Sequence, residues 1–190
     1  VNTLLEAGVE VQSFLVSRGW QFCFIGGIAV LRWGEPRLTR DLDLTVYAGF
    51  GNEVDFVDPL LEAFGARLPE MRSFALARRV LLLRSAKGYP IDIALGGLDY
   101  EKAMVSRSTL FSFYPGLELR TCSAEDLIVM KAFAERERDW ADIEGIVTRQ
   151  SGKLDWPYIE TQLTPLAEAK ESPEMIARLE SLRRRGERHQ

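Results

Sequence analysis

The sequence predicts an α/β protein of the α+β kind: a small mixed β-sheet flanked by helices, followed by a C-terminal helical bundle. Short apolar runs of strand character alternate with helical patterns through the first two thirds of the 190 residues. Glycine and proline punctuate those runs at turn-forming positions. Beyond a capping signal at Ser123, only helical periodicity remains. We therefore expect an α/β core over residues 1–120 and a helical region over residues 121–190 that closes a cleft.

Residues 2–18 place Leu4, Leu5, Val9, Val11, Phe14 and Leu15 on an amphipathic helix stopped by Gly19. Residues 21–25 read as a short buried strand, broken sharply by Gly26-Gly27. Residues 28–33 form a turn or two of apolar helix, ended by Gly34 and Pro36. Residues 42–47 alternate apolar side chains with Asp43 and Thr45, as a half-exposed strand does. Residues 54–64 are helical in pattern. Residues 73–84 read as one long strand, and residues 89–95 as its antiparallel partner across a turn at Lys87-Gly88. A helix over 99–105 precedes an extended segment, 110–120, broken at Pro115-Gly116. Ser123-Ala-Glu-Asp126 fits a capping box, and helices follow over 139–150, 155–170 and 173–185.

Composition narrows the chemistry. The net charge of −4 gives no global drive toward nucleic acid, so anion binding must be local. His189 is the only histidine and lies one residue from the end, which removes histidine zinc sites and Ser-His-Asp catalysis. Cys23 and Cys122 show no metal-binding spacing, and a reduced cytoplasmic protein is expected, with a single structural disulfide left open. No signal-peptide pattern begins the chain, and no apolar run reaches the roughly 18–20 residues of a membrane span, so no membrane partner is expected.

The chemistry concentrates between Phe24 and Leu44. On a strand, Asp41 and Asp43 project to one side with Cα atoms about 6.6 Å apart. Carboxylates so close repel unless a cation lies between them, and Mg²⁺ suits that role because it takes hard oxygen ligands and phosphates together. Upstream, Gly26-Gly27 ends a strand and opens a helix, where backbone N–H groups can cradle a triphosphate. Asp92, flanked by Ile91 and Ile93, puts a third carboxylate on an otherwise buried strand. If that strand neighbours 42–47, the three aspartates converge and hold two metals, one on an NTP and one on an acceptor hydroxyl. The alternative is an ion pair between Asp92 and Arg78, Arg79 or Arg84.

With Gly26-Gly27, thirteen intervening residues, Asp41-Leu-Asp43 and then Asp92, the sequence resembles the polymerase-β-like nucleotidyltransferase superfamily. The resemblance covers residues 20–95 and implies that the aspartates ligate two Mg²⁺ ions while the glycine turn binds the NTP. Ile28 stands where that superfamily often has serine after the glycine, so phosphate contact there rests on backbone groups. Arg37-x-Thr39-x-Asp41-x-Asp43, Lys131 and Arg138-Asp139-x-x-Asp142 are most similar to the AbiEii-type branch, the toxins of type IV toxin–antitoxin and abortive-infection systems. Arg138 replaces a lysine of that branch. The resemblance implies catalytic roles for Asp41, Asp43, Asp92 and Lys131, with phosphate or nucleotide contacts from Gly26, Gly27, Arg37, Thr39, Lys131, Asp139 and Asp142. On one continuous helix Lys131, Glu135, Asp139 and Asp142 would share a face, letting Lys131 meet the triphosphate. A tRNA 3′ end or a protein hydroxyl is the implied acceptor, and a cognate antitoxin the implied partner.

Two other functions compete with this one: an antibiotic nucleotidyltransferase with a small-molecule acceptor, and a noncatalytic nucleotidyltransferase-like binding module. Intact Asp41, Asp43 and Asp92 speak against the second. Residues 67–88 carry Arg67, Arg72, Arg78, Arg79, Arg84 and Lys87 against only Glu70. That excess either steers RNA or a nucleotide or marks a charged sheet edge.

Overall fold

In the computed structural model, which describes residues 2–187, the chain divides into two compact units. The first comprises the residues up to Ile28 together with Leu38–Cys122, and the second comprises Ala29–Arg37 and the chain from Ser123 onward. His189 lies outside the described residues.

The first unit is built on one mixed sheet of seven strands: β1 (Phe22–Phe24), β2 (Leu42–Tyr47), β3 (Gly65–Ala66), β4 (Val80–Arg84), β5 (Pro90–Gly96), β6 (Thr109–Tyr114) and β7 (Leu117–Thr121). Their order is β3-β4-β5-β2-β1-β7-β6. β1 runs antiparallel to β2, while β2 and β5 run parallel in the register Leu42–Ile91, Asp43–Asp92, Leu44–Ile93. The central strands alternate fully buried Leu42, Leu44, Val46, Ile91 and Ile93 with Asp43 and Asp92, so one face makes core and the other carries acid. Four helices belong to this unit, α1 (Asn2–Ser17), α3 (Val54–Ala63), α4 (Met71–Arg78) and α5 (Asp99–Arg107), while α2 (Gly26–Trp33) begins in it and ends in the second. Cys23 and Cys122 are both buried, and the structure joins neither in a disulfide.

The long strand expected over 73–84 is instead helix α4 followed by strand β4. Met71 and Ala75 are buried at helical spacing, and Arg79 takes the left-handed conformation (φ 57°) that turns helix into strand. Arg79 is held there by Glu53 and by the carbonyls of Gly49 and Leu95. The hairpin partner of β4 is β5, as the pattern implied.

The second unit is helical: α6 (Ala124–Ala134), α7 (Glu137–Arg149), α8 (Trp156–Ala169) and α9 (Glu174–Glu187). Ser123 caps α6, its hydroxyl accepting from the Asp126 N–H at 3.1 Å. The buried Asp126 carboxylate accepts in turn from the Ser123 and Tyr158 hydroxyls, both at 2.7 Å. Leu127, Ile128, Ile143, Ile146, Ile159, Leu163, Met175 and Leu179 form this unit's core. No described helix is long and apolar enough to cross a membrane.

Candidate active site

In the first unit, each glycine of the 26–27 pair makes room for one polar side chain. Gly26 opens α2 at φ +52°, and a Cβ there would lie 2.0 Å from Oδ2 of Asp43. A Cβ on Gly27 would lie 2.2 Å from Oγ1 of Thr39. The backbone brings these groups together: Phe24 faces Leu44 across β1 and β2, and the Ile25 N–H donates to the Asp43 carbonyl at 2.9 Å. The first N–H groups of α2 have no partner within the helix.

Thr39 donates its hydroxyl to Oδ1 of Asp41 at 3.1 Å. Asp41 is exposed and sits one residue before β2, while Asp43 lies within the strand and is half-buried. Asp92 is the register partner of Asp43, which sets their Cα atoms about 4.8 Å apart, the spacing of adjacent strands. Two such carboxylates repel, and Asp92 is compensated by an ion pair with Arg67. Sequence alone offers Arg78, Arg79 or Arg84 for that role and misses Arg67. Arg67 reaches Asp92 because its N–H bonds the carbonyl of Leu82, the residue opposite Asp92 on β4. The strand that leads to it, β3, is two residues long and carries no periodic signal.

As the side chains stand, no three acidic, cysteine or histidine groups among the described residues are gathered closely enough to hold a metal ion. The donors are nevertheless of the right kind for a hard cation: carboxylate oxygens on a common row, beside a turn kept free of Cβ atoms.

The expected basic stretch is largely neutralised within the fold. Besides Arg67, Arg72 pairs with Asp58 at 2.7 Å, Arg79 with Glu53, and Lys87 with Glu6. Hydrogen bonds from Arg72, with its charge, hold the exposed Asp58 carboxyl below the usual range.

A second cluster lies within the helical unit. Lys131 is 5% exposed, and its Nζ donates to Oδ1 of Asp139 at 2.8 Å and to Oδ2 of Asp142 at 2.7 Å. Arg37 makes a bidentate pair with Asp142, Nε to Oδ1 at 2.7 Å and Nη2 to Oδ2 at 2.8 Å. Arg136 bonds the second oxygen of Asp139 at 2.5 Å. Burial opposes ionisation of both aspartates. The bonds from Arg37 and Lys131 to Asp142, and from Arg136 and Lys131 to Asp139, outweigh it and hold both carboxyls below their ordinary values.

The single continuous helix expected here is two. α6 ends at Ala134, Glu135 takes φ 57°, and α7 starts at Glu137. Lys131 therefore meets Asp139 and Asp142 across a helix pair, and Glu135 bonds Lys170 and Ser172. Arg37 arrives on a strap, residues 33–37, laid along α7. Gln150 donates to the Trp33 carbonyl at 3.0 Å, Arg149 donates to that of Gly34, and Gly34 and Gly145 leave room for Ile146 and Glu35.

Solved structures that share the fold include two that span over 90% of both chains. One is an antigenic nucleotidyltransferase-like protein from Paracoccidioides brasiliensis, with a TM-score of 0.55 and 15% identity over 95% of this chain and 93% of that one. The other is the antibiotic-resistance factor ANT(2'')-Ia, with a TM-score of 0.51 and 17% identity over 99% of this chain and 93% of that one. No curated protein matches the sequence. The profile of the nucleotidyl transferase AbiEii toxin family, of type IV toxin–antitoxin systems, matches residues 16–180, and the chain belongs to that family.

Proposed function

We propose that this enzyme transfers a nucleoside monophosphate from an NTP to an acceptor hydroxyl, with Asp41, Asp43 and Asp92 as its Mg²⁺ ligands. One observation carries the reading: the Gly26-Gly27 turn has Asp43 and Thr39 packed where side chains would otherwise stand. The Asp43 carboxylate and the Thr39 hydroxyl are thereby held against the N-terminus of α2, whose amides favour an anion. Bound by these aspartates, Mg²⁺ would neutralise the triphosphate and favour in-line attack with release of pyrophosphate. The amides of Gly26 and Gly27, the Thr39 hydroxyl and the Arg37 guanidinium are assigned to the phosphates, positioning them for attack. Asp92 takes the acceptor's proton on a carboxylate oxygen, once Arg67 has moved aside.

Membership of the AbiEii family supports a tRNA 3′ end or a protein hydroxyl as acceptor, a cognate antitoxin as partner and a cytoplasmic setting. The 67–88 stretch adds little for RNA, because its charges are mostly paired. The test is incubation with each α-labelled NTP, Mg²⁺ and total tRNA, beside an Asp43→Ala control. We expect label on RNA or on protein that disappears with Asp43→Ala and with chelation of the metal. Asp43-dependent label on an aminoglycoside, with none on macromolecules, would replace the acceptor. No Asp43-dependent transfer to any of them would overturn the reading.

A further inference from the structure

We infer that Lys131 is a positioning residue, which acts on the NTP phosphates only through Asp142 and Arg37; this rests on the transferase reading above. The five side chains form a linear relay: Arg37, Asp142, Lys131, Asp139, Arg136. Lys131 stands at its middle, 5% exposed, with its ammonium on two carboxylates that are themselves 3% and 6% exposed. An ammonium so enclosed would have to abandon two buried anions to reach a phosphate, and each would then be left short of a cation. The ends of the relay are different. The Arg37 side chain is 26% exposed and that of Arg136 is 76% exposed.

The strap explains why Arg37 needs Lys131. Along α7, residues 33–35 are fixed by Gln150, Arg149, Ile146 and Gly145, but the Arg37 guanidinium is oriented by Asp142. Oδ2 of Asp142 accepts from Arg37 and Lys131 together. Lys131 thus fixes the Asp142 rotamer, and Asp142 fixes the plane of the guanidinium. Asp139 completes the shell of Lys131. In this arrangement Asp139 and Asp142 touch no nucleotide.

The test is a double-mutant cycle between Lys131→Met and Arg37→Ala, read as KM for the NTP and kcat. A charge-balanced Lys131→Met/Asp139→Asn variant is included in case Lys131→Met alone fails to fold. On the native background we expect either change to raise KM about tenfold or more, with a smaller effect on kcat. On the Arg37→Ala background we expect the Lys131 change to add less than about twofold, because coupled residues are not additive. Asp142→Glu should recover more of the KM than Asp142→Asn. A Lys131 effect as large on Arg37→Ala as on the native background would overturn the inference, as would a pure kcat loss.

A second readout needs no activity. Trypsin must draw the Arg37 guanidinium into its own pocket to cut after it, so cleavage of the Arg37–Leu38 bond, mapped by mass, reports the hold of Asp142. We expect faster cleavage at that bond in the charge-balanced variant, at temperatures well below its melting. An unchanged rate would overturn the inference. If the native protein transfers no label, the transferase reading fails, while the cleavage result still decides whether Lys131 holds Arg37.

Discussion

A methyl group on Gly26 would meet the Asp43 carboxylate at 2.0 Å and would also occupy a left-handed backbone, since φ there is +52°. The backbone strain for an L-residue is about 1–2 kcal/mol, a modest part of a domain's stability. The carboxylate end can swing away, but the Asp43 Cβ, 2.8 Å from the added methyl, is fixed to β2, so the turn and the strand must also part slightly. We therefore expect Gly26→Ala to fold with a lowered melting temperature and to lose at least about 100-fold in kcat/KM. A loss of activity in proportion to unfolding alone would contradict this. Much of this cluster's geometry is legible in the sequence, because a glycine pair after a strand and aspartates alternating along a strand are both local patterns. Arg67 is not, because its approach to Asp92 depends on sheet order and not on spacing along the chain.

The elements show where local rules suffice. The α6 cap is written in four residues, since Ser123 and Asp126 bond each other's neighbourhood within one turn. We expect Ser123→Ala to cost about 2 kcal/mol in urea unfolding, from the lost cap and from the buried Asp126 carboxylate losing a donor. Tyr158→Phe, which removes the other hydroxyl on Asp126, should be similarly costly. Two other boundaries were not readable. The 73–84 segment and the 124–142 segment each turn at a non-glycine residue at φ 57°, Arg79 and Glu135. No glycine marks either place. Each is held by distant partners, Glu53 and the Gly49 and Leu95 carbonyls for Arg79, Lys170 and Ser172 for Glu135. Those partners compensate for a conformation that sequence statistics disfavour.

At the scale of the whole chain, the buried relay ties stability to acid. Asp139 and Asp142 titrate below their ordinary range in the folded state because arginine and lysine bonds outweigh burial. Folding then gains from both groups above the unfolded value of about 3.9, and the gain fades as pH falls through the lower folded values. We expect urea midpoints that hold steady from pH 7 to about pH 5 and fall steeply below about pH 4. An Asp139→Asn/Asp142→Asn protein should be less stable at pH 7 and lose less on acidification. Equal acid slopes for the two proteins would show that other carboxylates set the limit. The α/β order and the helical run after Ser123 were visible from periodicity, since each unit's core is patterned locally. That residues 29–37 join the helical unit was not, because the end of α2 and the short strap after it carry no pattern that names their partner.

Asp43 and Asp92 stand on the same rung of two parallel strands. Their separation is therefore a property of the backbone ladder and not of side-chain choice. A slip of β5 by a single residue would turn Asp92 to the opposite face and bring a neighbouring isoleucine in its place. A deletion in the turn at 85–89 that preserves the rung leaves the acidic row whole. A single-residue deletion at 90 or 91 slips Asp92 off it, though every carboxylate is still encoded. The alignment of these two strands and the chemistry they carry are thus inherited as one trait.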